Sequence, residues 1–500
     1  MFSLRKTALI GLSVSAIALS GCLSGGGSGS SNPVAVEIPA TQSERISSGF
    51  FRVNTAQVNN FEAIPDVTTQ RFTGVLDNAG YRIEIPENWN GDLVMWAHGF
   101  RGEGRDLTVD NPPIREHLIA QGYAWAASTY SANYYDVRAG VVDTNKLALA
   151  FSEITGAPAP GRYLISGFSM GGHVTGAAIE SENRTALAQV DLDVNYSAAL
   201  PMCGVMGDTA LFDYFGGYGL SLFQLAGVGP DEYPISEADA AQRLAEAREV
   251  LWTDYDSDKS FNGLTAQGQA LFVTLQNLSG GARPIYNFTF GEYQDLLQGF
   301  VGSDGTVDGI VDDNIVDTTY IRYRFASIQP GPNMPGAPND AGLTDNELFF
   351  NGVIAQSTGD RLAANPARTD GPPSIPRING EFDIPVLTLH GLGDLFVPFS
   401  MQQIYRNNAV AAGNGDLLVQ RAIRDPGHCE FTPEEMTEAF DDLIAWLDNG
   451  ITPAGDDIMN PAAVAASDFG CQFSRANRFA GSPLEPLTAC PVPIDGIAPQ

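Results

Sequence analysis

Positive charge is scarce in this chain. Lys and Arg number 27 against 59 Asp and Glu, a formal net charge of −32 over 500 residues. A surface so acidic repels phosphate backbones, so no nucleic-acid partner is expected. Cysteine is scarce as well, and five are too few for a small disulfide-built domain. Histidine also numbers five, so a catalytic base must come from very few candidates. Internal repeats with a period of roughly 20–50 residues are missing, and no second long apolar run follows the N-terminal one. What is present is 44% apolar and only 17% charged residues, which argues against global disorder and leaves enough chain for a large core. With 54 Gly and 31 Pro, many turns and long loops are expected.

The N-terminus carries Arg5 and Lys6, an apolar run to Leu19, and then Ser20-Gly21-Cys22. The run is short for a membrane span. The pattern looks like a bacterial lipoprotein signal, which implies removal of residues 1–21 and lipidation of Cys22. Residues 22–34 are rich in Gly and Ser and read as a flexible tether. In such lipoproteins an Asp after the Cys often means retention at the inner membrane. Leu23 stands there, so an outer-membrane or cell-surface anchor is expected, with the lipid as the only membrane contact. Cys203, Cys429, Cys471 and Cys490 then remain in an oxidising compartment, and four Cys allow three pairings. The nearest pair, Cys471 with Cys490, closes a loop of about 20 residues and leaves Cys203 with Cys429.

Organisation follows from the apolar patterning. Segments 71–76 and 81–85 alternate around Asp77-Asn78-Ala79-Gly80 and read as a hairpin. Segments 92–97, 123–128, 163–166, 196–200, 385–390 and 417–423 read as buried strands. Helices are expected over 114–121, 143–154, 171–180 and 432–447, the last with a capping box at Thr432 and Glu435 and a stop at Asn449-Gly450. Alternating strands and helices predict an α/β fold: a mostly parallel sheet with helices on both faces. The core is expected over 35–203 and 385–453, with 35–65 an irregular leader. A large insertion, helical at 236–252 and otherwise mainly irregular, occupies 204–384 before the sheet resumes. An irregular tail occupies 454–500.

Gly167-Phe168-Ser169-Met170-Gly171 fits G-x-S-x-G between a strand and a helix. Glycines there leave room for a sharp turn that lifts a Ser hydroxyl above the sheet edge. A nucleophilic Ser needs a base. His428, in a loop just after the last strand, is the candidate, because ligands and catalytic groups gather at that sheet edge. His98 and His390 end buried strands and read as parts of the floor. His117 falls on a surface helix, and His173 is expected to pack locally. Asp394 follows the strand 385–390 and has the right chain order for the acid; Asp425 is the second candidate, and Asp383 sits at the wrong strand end. The oxyanion donors are expected to be the amides of Phe100 and Met170.

His98-Gly99, Gly167–Gly171, His390-Gly391 with Asp394, and Gly427-His428, in that order, resemble the α/β-hydrolase superfamily over about 74–447, the insertion excepted. Within it the chain looks like secreted bacterial esterases, with distant likeness to the prolyl-oligopeptidase-like and tannase or feruloyl-esterase groups. In the latter group a Cys beside the base pairs with a Cys beside the nucleophile. Position 168 is Phe here, so Cys203, after the next strand, is the partner that can reach Cys429 at the same sheet edge.

The resulting expectation is a serine carboxylic-ester hydrolase acting on small or polymeric extracellular esters, with neither an organic cofactor nor a metal. The same residues serve amides, so a serine amidase or peptidase is the alternative. A non-catalytic binding protein on this scaffold would predict a broken Ser, His and Asp set. Residues 304–312 resemble the start of a calcium loop, but Ile315 stands where the twelfth-position acid belongs, and a solvated acidic turn is expected. Aromatic runs at 214–223, 288–293 and 349–350 are read mainly as packing within the insertion.

Overall fold

The apolar segments assemble into one eight-stranded sheet in the computed structural model, which describes residues 41–302, 315–326, 340–358, 375–475 and 489–490. The strands are β1 (Thr69–Leu76), β2 (Ala79–Pro86), β3 (Asp92–Ala97), β4 (Ala124–Ser128), β5 (Arg162–Phe168), β6 (Tyr196–Met202), β7 (Val386–Gly391) and β8 (Leu418–Ile423). Their spatial order is β8-β7-β6-β5-β3-β4-β2-β1. Only β2 runs opposite to the rest of the sheet: its pairs with β1 and β4 are antiparallel, and every other pair is parallel.

Successive residues of a strand point to opposite faces, which is why the central strands are apolar throughout. Met95 and Ile165 face one core with Val141 and Val174, from the helices Val137–Thr155 and Met170–Ile179. Val94 and Leu164 face the other, with Leu118, Phe440 and Leu443 from the helices Arg115–Ala120 and Pro433–Asn449. Burying one such Leu or Phe stabilises the fold by about 1.5–3 kcal/mol. The last helix has the capping box read from its sequence: the Glu435 amide donates to Thr432 Oγ1 at 3.2 Å and the Thr432 amide to Glu435 Oε2 at 2.9 Å.

Four expectations need correction. The hairpin closes on two residues rather than four, since Leu76 pairs with Ala79 while Asp77 and Asn78 both take positive φ, 45° and 71°. That geometry matches strand twist better than a looser loop. The helix expected from 143 begins at Val137, because the Asp136 carboxylate caps it by accepting the Ala139 amide at 2.9 Å. Residues 41–65 are not simply irregular: helices Gln42–Ser47 and Thr55–Asn59 form there. The second is tied to the sheet by buried Arg82, whose guanidinium donates to the carbonyls of Val58 (3.0 Å) and Asn60 (2.8 Å). The tail holds a short helix, Pro461–Val464, and is fastened by Arg424, which donates to the carbonyls of Ser467 and Phe469 at 3.0 Å each.

Between β6 and β7 the described residues are mainly helical. They include Ala210–Ala226, Glu237–Leu251, Ala266–Leu278, Tyr286–Glu292, Gln294–Gln298 and Asp345–Val353. Their buried aromatics Phe212, Phe223, Tyr286 and Phe290 are continuous with the first core. Cys22 and the acidic segment 304–312 lie outside the described residues.

Candidate active site

β3 pairs with β4 on one side and β5 on the other, so the chain reverses its direction of travel across the sheet there. Open α/β sheets have their natural crevice at such a reversal, beyond the carboxyl ends of the strands. The loops after β3 and β5 carry His98-Gly99-Phe100 and Ser169.

Ser169 sits between β5 and the helix Met170–Ile179 with φ 56° and ψ −120°. A non-glycine residue held there stores about 1–3 kcal/mol, which the packed flanks must overcome. The flanks tolerate no side chain. A Cβ on Gly171 would lie 2.0 Å from the Ala97 carbonyl oxygen, and one on Gly167 would lie 2.3 Å from that of Gly171. These neighbours are backbone and cannot step aside. Gly171→Ala is therefore expected to destabilise the fold by at least about 3 kcal/mol, measured as the denaturation midpoint against wild type. An unchanged midpoint would mean that the turn is not as tight as drawn.

The Ser169 hydroxyl donates to His428 Nε2 at 2.8 Å, and His428 Nδ1 donates to Asp394 Oδ2 at 2.6 Å. Ser169 and His428 are half-buried and Asp394 is fully buried. Asp394 Oδ1 accepts the amides of Phe396 and Val397 at 2.9 and 3.0 Å, which fixes its second oxygen toward the imidazole. Asp425 serves its own loop instead, accepting the amides of Gly427 (2.9 Å) and Glu430 (2.8 Å). Asp383 is exposed and faces Arg184 at 3.6 Å. Of the candidate acids, Asp394 is thus the one at the imidazole.

Gly99 lies against Ser169: a Cβ there would be 3.3 Å from Ser169 Cβ. The peptide that carries the Phe100 amide is thereby brought beside the hydroxyl. Met170 opens its helix, where the first amides have no partner within the helix. The arrangement can ionise a hydroxyl and hold the imidazolium that results.

His98 and His390 are buried at the ends of β3 and β7. His98 Nδ1 donates to the Gly99 carbonyl at 2.7 Å, and its ring stacks on Tyr130 at 4.0 Å. His390 Nε2 donates to the Val397 carbonyl at 2.8 Å. Burial holds them down to about 3 and about 4, so both stay neutral. His117 pairs at the surface with Asp441 at 2.7 Å. His173 departs from its expected local packing. Its Nε2 donates to the Pro376 carbonyl at 2.9 Å, 203 residues away, and its Nδ1 meets the Tyr135 hydroxyl at 3.1 Å.

Both expected disulfides are present, Cys203–Cys429 and Cys471–Cys490. The first lies at the site, with Cys429 Sγ 3.4 Å from His428 Nε2. The insertion supplies what the motifs did not show. Phe396 meets the His428 ring edge-on at 5.2 Å and stacks with Phe300 at 5.9 Å and Phe215 at 6.0 Å. Phe215 and Phe300 stack at 4.4 Å. Of the three, only Phe215 falls in an aromatic run of the sequence, and nothing there marked an approach to His428. Among the described residues no group of three or more His, Cys, Asp or Glu is placed to hold a metal.

No family model matches the sequence. It is similar to the o-phthalyl amidase of Xanthobacter agilis, 25% identical over 443 residues that cover 80% of this chain and 92% of the amidase. Among solved structures it is similar to feruloyl esterase B from Aspergillus oryzae, with a TM-score of 0.38, 12% identity, and 80% and 84% of the two chains covered. It is similar also to the rice cell wall degrading esterase LipA from Xanthomonas oryzae (TM-score 0.31, 15% identity, 74% and 85% covered). A further neighbour is the Pyrococcus horikoshii acylaminoacyl peptidase (TM-score 0.35, 10% identity, 78% of this chain), of which the match spans 43%. The strand order, rather than these low scores, identifies the fold. A parallel sheet reordered around β3 and β5, with a strained strand-to-helix turn at that reversal, is the α/β-hydrolase fold.

Proposed function

We propose that the protein is a serine carboxylic-ester hydrolase working through an acyl-enzyme. Ser169 Oγ attacks the ester carbonyl while His428 Nε2 takes its proton. The amides of Phe100 and Met170 receive the oxyanion, and Asp394 holds the imidazolium. His428 then returns the proton to the departing alcohol. Water, deprotonated by the same imidazole, releases the acid and restores Ser169. The observation that carries this reading is the continuous relay Ser169–His428–Asp394 at 2.8 and 2.6 Å.

Phe396, Phe300 and Phe215 offer an apolar wall beside His428, which suits an ester with a large apolar group. A lipid anchor at Cys22 would place the site outside the cell, where large or polymeric esters are accessible. Two disulfides support an oxidising compartment, and among the described residues no helix is long and apolar enough to cross a membrane.

The second reading is amide hydrolysis by the same residues, favoured by the amidase relative. The test is a matched panel of p-nitrophenyl esters of rising chain length and the corresponding p-nitroanilides. Ester kcat/KM at least about 10³-fold above that of the matched anilide supports the ester reading, a gap of about 4 kcal/mol in the barrier. Anilide turnover without ester turnover replaces it with the second.

A further inference from the structure

The insertion reaches behind the acid as well as toward the serine. Arg283 Nε donates to the Leu392 carbonyl at 2.7 Å, across 109 residues. The Tyr214 hydroxyl donates to the Leu395 carbonyl at 2.9 Å, across 181 residues. These two carbonyls flank Asp394. Between them Gly393 lies against the helix Tyr286–Glu292, where a Cβ would sit 2.7 Å from Thr289 Cγ2. The loop that presents the acid is therefore held from the insertion on both sides.

Arg283 is only 6% exposed. Its other donors also meet neutral acceptors, the Gly281 carbonyl at 2.9 Å and Ser279 Oγ at 3.1 Å. Among the described residues it forms no ion pair. Burial lowers it to about 10, offset in part by Tyr286, Tyr214 and the Asp394 carboxylate, so it stays charged at neutral pH. A buried cation bonded only to neutral groups is costly unless a nearby anion shares its field. The Asp394 carboxylate, carried by the turn that Arg283 binds, contributes to that field.

We propose that Arg283 is a positioning residue: from inside the insertion it fixes the Leu392–Leu395 turn and sets its buried positive charge against the Asp394–His428 pair. The inference rests on the proposed nucleophile. Among the described residues His390, Tyr214 and Tyr293 also face the pair, with the Asp425 and Glu430 carboxylates acting on Tyr293. His390 is neutral through burial, and burial also holds both tyrosines neutral by raising them well above the ordinary value. Arg283 thus adds a fixed positive charge to the field around the turn that orients the imidazole, and removing that cation favours any further positive charge there.

The test is the rate at which a fluorophosphonate labels Ser169 in the full chain, followed from pH 5 to 9. It needs the serine and its base but no knowledge of the substrate. Arg283→Met is expected to slow labelling about 100-fold at pH 7 and to move the acid limb to higher pH by about one unit. Arg283→Lys keeps the charge but loses the fork. It is expected to slow labelling about tenfold with the acid limb unmoved, and it serves alone if the Met variant does not fold. A merely structural role would lower the rate without moving the limb. An unmoved limb in a folded Arg283→Met protein, or an Arg283→Lys protein that labels at the wild-type rate, overturns the inference. Failure of wild type to label overturns the nucleophile reading instead.

Discussion

Ser169→Ala is expected to abolish hydrolysis, by about 10⁴-fold or more in kcat, while the protein stays folded. The hydroxyl is the atom at 2.8 Å from His428 Nε2, and among the described side chains the imidazole has no second hydroxyl partner. The fold should survive, because the strained turn is imposed by β5, the helix Met170–Ile179 and the two glycines rather than by the hydroxyl. His428→Ala should lose about as much, and the double variant little more than either, since groups that act as one unit do not lose rate additively. The measurements are ester turnover and thermal unfolding of the same preparations. Turnover that survives in Ser169→Ala would sink the nucleophile assignment and every step built on it.

The second large effect concerns the bond between Cys203 and Cys429. Cys203 follows Met202, whose carbonyl accepts the Ser169 amide at 3.1 Å, and its own amide donates to the Leu389 carbonyl at 2.8 Å. Cys429 follows His428. The disulfide thus joins the sheet edge that carries the nucleophile to the loop that carries the base. Its cysteines are 226 residues apart, so in the chain-entropy model its loss costs roughly 5 kcal/mol. Cys203→Ala combined with Cys429→Ala is expected to lower stability by up to that amount. In whatever fraction still folds, kcat should fall about 100-fold, because a base misplaced by about 1 Å loses that much. Cys471→Ala with Cys490→Ala is the control. Those cysteines are 19 apart, their loss costs about 3 kcal/mol, and kcat should hold. Denaturant melts and steady-state kinetics of the two double variants decide the matter. Equal kcat in both would show that the first bond stabilises the chain without placing the base.

Much of the sheet was legible because its evidence is local. Each central strand is buried on both faces and so reads as an apolar run, and the helix after β8 announces both ends through Thr432, Glu435 and Gly450. Ser169, His428 and Asp394 were readable for a related reason. Each lies within five residues of the carboxyl end of a strand, so finding the strand finds the position. What was hidden is long-range. The hold of Arg82 on residues 58–60 and the reach of His173 to Pro376 leave no periodic mark.

By itself, the sequence determined the fold class and the residues at the strand ends, because alternation, turn chemistry and chain order each constrain a short stretch of chain. Only the tertiary structure decided between Asp394 and Asp425. Both are buried carboxylates close to His428 in the fold, and what separates them is which backbone amides claim their oxygens. It also decided what the insertion does. Arg283, Tyr214 and Phe300 are ordinary residues in sequence. They bear on Asp394 and His428 only because the insertion folds back across more than a hundred residues, and contacts between residues so far apart are set by packing rather than by any local pattern.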